Sequence, residues 1–178
     1  MRTAIKKTKV YYFDELPEES QEKAIENYYD INLDFWYECI IEDAEEVGIE
    51  ITAWDLDRYS INGLLQADLE TVINNILEKH GDTTDTYKTA KIYQTALEEL
   101  KTKYLKGRNI DIDSIEYDEY CEYEDEKEDL SKQFKHDILS DYLHILKNEY
   151  EYQASKEAII ETFRVNEYEF DINGHIYY

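Results

Sequence analysis

Five glycines, one proline, two cysteines and one methionine are all that these 178 residues contain of those types. Neither a low-complexity linker nor a glycine-rich phosphate loop can be built from so few, and the patterns GxxxxGK[ST], GxGxxG and GxSxG are indeed missing. Cys39 and Cys121 make no disulfide framework and no CxxC pair, a usage that points to a reducing cytosol. No apolar run approaches the ~20 residues that a membrane helix needs. The opening MRTAIKKTKVYYF is basic but lacks the apolar stretch and small-residue cleavage site of a signal peptide, so none is expected. Positive charge is scarce as well: 19 Lys and Arg stand against 43 Asp and Glu, a formal net charge of −24. Such a chain repels nucleic acid and anionic membranes and is steered towards basic surfaces. Direct nucleic-acid binding is excluded as the default, but binding a protein that itself binds nucleic acid is not.

What is present is enough for a core. Hydrophobic residues make up 42% and aromatics 14%, too much for a disordered chain. Tyr supplies 18 of the aromatics, bringing contact area with a polar tip of the kind enriched at interfaces. The expectation is a single domain over residues 1–178, with an acidic connector and rod at 111–152 inside it.

The charge is unevenly spread: residues 111–178 hold 20 acids and 6 bases, against 23 and 13 in the longer 1–110. Its focus is DIDSIEYDEYCEYEDEKED, Asp111 to Asp129, in which eleven of nineteen residues are acidic and Lys127 is the only cation. The following LSKQFKHDILSDYLHILKNEY has the apolar spacing of a long helix. On a wheel at about 100° per residue, Tyr120, Tyr123, Leu130, Phe134, Ile138, Tyr142 and Ile145 share one sector, the expected core seam. Asp118, Glu122, Asp125, Glu126 and Asp129 fall opposite. Like charges at i,i+4 repel by a few tenths of a kcal/mol, so such a row goes against local stability. Residues 116–129 hold nine acids and one Lys, about one net charge per 2.6 Å at a rise of about 1.5 Å per residue. Duplex DNA carries about one per 1.7 Å and a single strand about one per 3.4 Å. A solvated helix face is the plain alternative.

Along the chain, Thr3–Phe13 reads as a strand and Pro17 opens a helix with Ala24, Ile25, Tyr28 and Tyr29 inward. Asn32 or Asp34 can cap a second helix with Trp36, Ile40, Ala44 and Val47 inside, ending at Gly48. Ile49, Ile51 and Ala53 alternate as a strand towards Asp57, with Tyr59 and Ile61 as a hairpin partner before Asn62-Gly63. A helix from Leu65 to Leu77 stops at Gly81. The next, 86–108, is basic: Lys88, Lys91, Lys101, Lys103, Lys106 and Arg108 face only Glu98 and Glu99. Antiparallel pairing with the acidic rod would neutralise part of it, though six cations cannot cover eleven carboxylates. Gly107–Ser114 connects the two. Gln153 to Ser155 breaks the rod, Ser155 caps a short helix, and Tyr168, Phe170 and Ile172 lead to a hairpin at Asn173-Gly174 returning through Ile176 and Tyr178. The fold class is α+β: about six helices, one long and acidic, on a small, mostly antiparallel sheet.

Catalytic signatures are wanting. Asp111-x-Asp113 starts like a calcium loop, but Ile115 and Glu116 occupy the positions that need a ligand and Gly. His136, Asp141 and His144 lie close in sequence, and Asp141 with His144 is an i,i+3 pair able to hold a metal; polar residues flanking a core seam is the preferred reading, and no metal or cofactor is expected. Cys39, in an apolar helix, is expected to be buried, and Cys121 among carboxylates is a poor nucleophile. No enzyme is expected.

Tyr12-Phe13-Asp14-Glu15-Leu16 with Lys23-Ala24, Glu42-Asp43-Ala44 with Gly48-Ile49, Asp55-Leu56-Asp57-Arg58, Tyr87-Lys88-Thr89-Ala90, Glu149-Tyr150-Glu151-Tyr152 and Asn166-Glu167-Tyr168-Glu169-Phe170 together carry a resemblance. The chain resembles a family of small acidic accessory proteins of bacteriophages and prophages, departing from it at Pro17, where a Ser cap stands in such sequences. The resemblance implies a phage protein acting in the host cytoplasm, similar to anti-CRISPR or anti-restriction inhibitors. The expected partner is a basic nucleic-acid-binding protein, a host defence nuclease or effector complex, and a homodimer is a further option. The expected contact residues are Asp111, Asp113, Tyr117, Asp118, Glu119, Glu122, Glu124, Asp125, Glu126 and Asp129, standing in for phosphates. The alternative is an antitoxin-like or regulatory module that binds through its Tyr-rich surface.

Overall fold

The computed structural model describes residues 8–106, 108 and 111–177. Thr3–Lys7 of the expected first strand, Gly107 and 109–110 of the connector, and Tyr178 lie outside the described residues. Within them are six α-helices and two two-stranded antiparallel sheets, an α+β architecture. The chain divides into two compact units, one of residues 1–37 and 148–178 and one of residues 38–147.

In the first unit, β1 (Tyr11–Tyr12) pairs antiparallel with β4 (Glu169–Phe170), placing Tyr11 opposite Phe170. Between them come α1 (Glu18–Asn27), with Pro17 at its N-cap, and α6 (Lys156–Val165). Proline suits a helix start because the backbone N–H it lacks has no intrahelical partner there. The Ser155 hydroxyl accepts from the Ala158 N–H at 3.2 Å, as its position after the long helix predicts. The core is aromatic: Phe13, Phe163 and Phe170 are buried with Leu16, Ala24 and Ile159, and the Phe163 and Phe170 rings lie edge to face at 5.0 Å. The expected C-terminal hairpin is shortened to one bridge, Phe170 with Ile176, because Phe170 takes its main pairing from β1. Its turn is pressed onto α1. A Cβ on Gly174, whose φ is +79°, would stand 2.6 Å from the Ala24 backbone nitrogen, and the Ser20 hydroxyl donates to the Ile172 carbonyl at 2.7 Å.

The second unit opens with α2 (Glu38–Glu46). Neither Asn32 nor Asp34 caps it, because the turns before it are held elsewhere: the Asn32 side chain bonds the Gln153 carbonyl and the Thr162 hydroxyl. Trp36 accordingly packs on Tyr150 (5.5 Å) instead of lining the helix. Cys39 is exposed, not buried; with the helix beginning at Glu38, it lies about 140° around the wheel from buried Ala44. The β2 (Ile49–Asp55) and β3 (Ser60–Leu65) strands form a hairpin whose turn is Leu56–Tyr59. The partner strand does not end before Asn62-Gly63 but runs through it to Leu65, beside a register shift between Ile51 and Ala53. Gly63 is needed there because a Cβ would meet Leu139 at 2.8 Å and the Glu50 carbonyl at 2.6 Å. Leu65 belongs to β3, and the next helix, α3 (Leu69–Lys79), starts at an Asp68 cap accepting from the Thr71 N–H at 3.1 Å.

The helix α4 (Asp85–Leu105), capped by Thr84, and α5 (Tyr117–Gln153) follow. Val47, Ile49, Val72, Ile73 and Ile76 form an aliphatic core with Ala90, Leu97, Phe134, Ile138 and Tyr142. Of the expected α5 seam, Tyr123, Phe134, Ile138 and Tyr142 are buried, Tyr120 and Leu130 half-buried, and Ile145 exposed. Leu139, Leu143 and Leu146 are buried as well, so the apolar stripe of this half of α5 is wider than the expected seam.

Candidate partner-binding surface

The support of the acidic face is a small cluster of its own. Tyr104 near the end of α4 and Tyr123 of α5 pack edge to face at 5.7 Å, with buried Ile115 just before α5. Three hydroxyl–carboxylate bonds fix the antiparallel register of the two helices. The Thr89 hydroxyl donates to Asp141 at 2.6 Å, that of Tyr93 to Asp137 at 2.6 Å and that of Tyr104 to Glu126 at 2.8 Å. Burial, then the neighbouring Asp137, pushes the Tyr93 phenol well above its ordinary range. Burial likewise raises the Asp141 carboxyl, against the hydroxyl of Thr89. At half-buried Asp137 and Asp141 the donors are thus neutral hydroxyls, while exposed Glu126 is also reached by Lys103.

The basic helix does neutralise part of the row, as its composition predicts, but less than six cations allow. Lys103 pairs with Glu126, and Lys106 and Arg108 both pair with Glu119. Arg108 and then Lys106 draw the Glu119 carboxyl down to about 2, and Lys103, then Tyr104, lower that of Glu126. Lys88, Lys91 and Lys101 turn instead to Asp85, Gln94 and Glu70. Within α5, Glu124 bonds Lys127 at 3.3 Å and Asp129 bonds Lys132 at 3.2 Å, which also pairs with Glu128. Sequence reasoning overlooked Lys132, although its i,i+3 and i,i+4 spacings from Asp129 and Glu128 are a legible signal.

The ten expected contact residues therefore divide. Glu119 and Glu126 are taken by α4, while Glu124 and Asp129 share lysines of their own helix. Asp111, Asp113, Asp118, Glu122 and Asp125 are exposed and form no ion pair among the described residues. Tyr117 at the head of α5 is 78% exposed. Asp118, Glu122 and Asp125 lie on one face at i, i+4 and i+7, with Asp129 continuing the row. Lys103, Lys106, Arg108 and Lys132, set against the nine acids and Lys127 of residues 116–129, leave four net negative charges. Over roughly 21 Å that is about one per 5 Å, below the density of duplex DNA and of a single strand.

Asp141 and His144 are not drawn into one ligand set: Asp141 accepts from Thr89, and the His144 ring packs on Tyr59 at 5.6 Å. Among the described residues no group of three or more His, Cys, Asp or Glu is gathered as metal ligands. No described helix is long and apolar enough to cross a membrane. No family model, curated protein or solved structure matches this chain.

Proposed function

We propose that this chain is a phage-encoded inhibitor of a host defence system, of the anti-CRISPR or anti-restriction kind, that lays the acidic face of α5 in the basic groove of a nucleic-acid-binding protein. The observation that carries the reading is the row Asp118, Glu122 and Asp125, exposed and without ion pairs among the described residues, on a helix whose opposite face is anchored by buried Tyr123. Repulsion along that row costs stability, and a basic groove would relieve it. The mechanism is competition in the host cytoplasm: carboxylates take the places of phosphates and DNA or RNA is excluded. It needs neither catalysis nor a cofactor, and no direct contact with nucleic acid. The contact set narrows to Asp118, Glu122, Asp125 and Asp129, with Tyr117 supplying area at one end.

The test is capture of a partner from host lysate with nuclease present throughout, washed at about 50 mM and again at about 300 mM salt, where screening shortens the reach of charge pairs. A basic partner lost as salt rises, and lost at low salt with Asp118→Lys, Glu122→Lys and Asp125→Lys combined in a folded chain, is the expected result. Capture that survives all three reversals sinks the proposal.

One observation favours a second reading, an antitoxin-like or regulatory module. Tyr29, Phe35 and Tyr152 are 63%, 68% and 52% exposed, ring area that an apolar partner would cover. A complex that resists salt and is destroyed by Phe35→Ala or Tyr152→Ala would select it.

A further inference from the structure

A pocket of about 370 Å³ lies between the end of the β2–β3 hairpin and the second half of α5, lined by Tyr59, Ser60, Ile61, His136, Leu139, Ser140 and Leu143. Two rows on α5 build one wall: His136 and Ser140, one turn apart, run beside Leu139 and Leu143, with the same spacing. The hairpin supplies the other wall. The Tyr59 phenol, the Ser60 and Ser140 hydroxyls and the His136 imidazole have no hydrogen-bond partner among the described residues. An apolar floor with a few convergent polar groups is the ordinary composition of a small-molecule site.

Two features mark this pocket, and the first sets it apart from the other cavities. The first is charge. About one residue in four of the chain is acidic, and four other cavities each have a carboxylate in their walls: Asp14 and Glu167, Glu161, Glu98 and Glu99, and Glu99 with Glu126. This one has none. Its edge instead gathers cation-forming groups, for Tyr59 packs on the His144 ring at 5.6 Å and lies beneath the Lys147 ammonium at 5.3 Å. The second is backbone conformation. Tyr59 has φ +52°, a left-handed conformation that a hairpin normally assigns to Gly or Asn. A bulky ring is held there against that preference, and strained residues of this sort cluster at ligand clamps.

We propose that this pocket binds a small organic monoanion, an apolar body carrying one carboxylate. The body lies on Ile61, Leu139 and Leu143 beside the Tyr59 ring, and the carboxylate accepts from Ser60, Ser140 and His136. The inference does not depend on the acidic row of α5 and stands whether or not that row meets a basic groove.

The test is a titration of the isotope-labelled full chain with 4-phenylbutyrate and, separately, with its neutral counterpart 4-phenylbutanamide, followed by NMR. The carboxylate is expected to shift the amides of Ser60, His136 and Ser140 and to bind at least about tenfold more tightly than the amide, the ratio one charge-assisted hydrogen bond supplies. Ser140→Phe, which fills the cavity, abolishes those shifts. Tyr59→Asn, which suits the left-handed backbone, weakens binding without lowering the melting temperature. Shifts elsewhere only, no shifts at millimolar probe, or equal affinity for acid and amide would overturn the proposal. So would a Tyr59→Asn chain that binds as the parent does.

Discussion

The two units of this protein carry similar densities of net charge and differ in where they put it. Residues 1–37 and 148–178 hold 15 acids and 7 bases; residues 38–147 hold 28 and 12. In the second unit a large share of the surplus sits on one stretch of α5. In the first it is scattered, and what stands out instead is apolar surface: Tyr12, Tyr29, Phe35, Tyr150, Tyr152, Val165, Ile172 and Tyr177 are all exposed. The interiors differ too, rings in the first and mainly branched aliphatics in the second. Net charge therefore says little about where a partner binds. The arrangement of charge against its local cations, and of rings against their core, says more.

The two units should part most clearly when a core is cut. Phe163 touches Phe13, Tyr28, Tyr168 and Phe170, so Phe163→Ala should cost about 3–5 kcal/mol. Hydrogen exchange should show the loss in α1 and α6 while the amides of α3 and α4 stay protected; uniform loss would mean that the units do not differ in stability. Next comes Tyr142, buried in the second unit, whose hydroxyl donates to Asp43 at 2.9 Å. His80, 3.5 Å from the same carboxylate, and then the phenol hold that carboxyl below its usual range. Tyr142→Phe should cost about 1.5–3 kcal/mol, the range for a hydrogen bond to a charged group, read from chemical denaturation.

Smaller changes sharpen the acidic side. Glu122→Gln with Asp125→Asn removes repulsions at i,i+3 and i,i+4 and should raise stability by up to about 1 kcal/mol, while partner capture falls. A loss of stability would assign the row a structural role. Smallest is the titration of Glu119, whose carboxyl is lowered from 4.5 to about 2 by Arg108 and Lys106. A depressed acid favours the folded form above its unfolded value and loses that advantage as pH falls. Its carboxyl carbon signal should therefore titrate near pH 2, well below the 4.5 of an ordinary glutamate, as the pairs to Lys106 and Arg108 open.

Local signals in the sequence were readable where they acted alone. The Ser155 cap, the break after Gln153 and the apolar stripes of α3 and α4 follow from spacing and capping chemistry. The partial cover of the acid row followed from the cations of the helix before it. Misreadings came where a distant contact overrode a local one. Asn62-Gly63 reads as the end of the hairpin partner, yet Gly63 lies inside a strand that must pass close to Leu139. Phe170 reads as the start of a hairpin, yet it pairs with Tyr11. Asn32 reads as a cap, yet its amide is used by Gln153 and Thr162. In the site, the density of carboxylate was legible; which carboxylates stay free was not, because that depends on how far α4 extends past Tyr123.

The pairing of Tyr11 with Phe170 has a consequence for how this protein is made. The ring cluster of the first unit needs Phe13 together with Phe163 and Phe170, which follow it in the chain only after the whole of the second unit. On the ribosome, residues 38–147 can close their aliphatic core while Phe13 and Tyr28 still wait for partners that have not been translated. Closing so long a loop is slow as well as late. The emerging chain thus exposes Phe13 and Tyr28 until Phe163 and Phe170 follow, the interval in which a chaperone or an aggregation-prone neighbour meets them first.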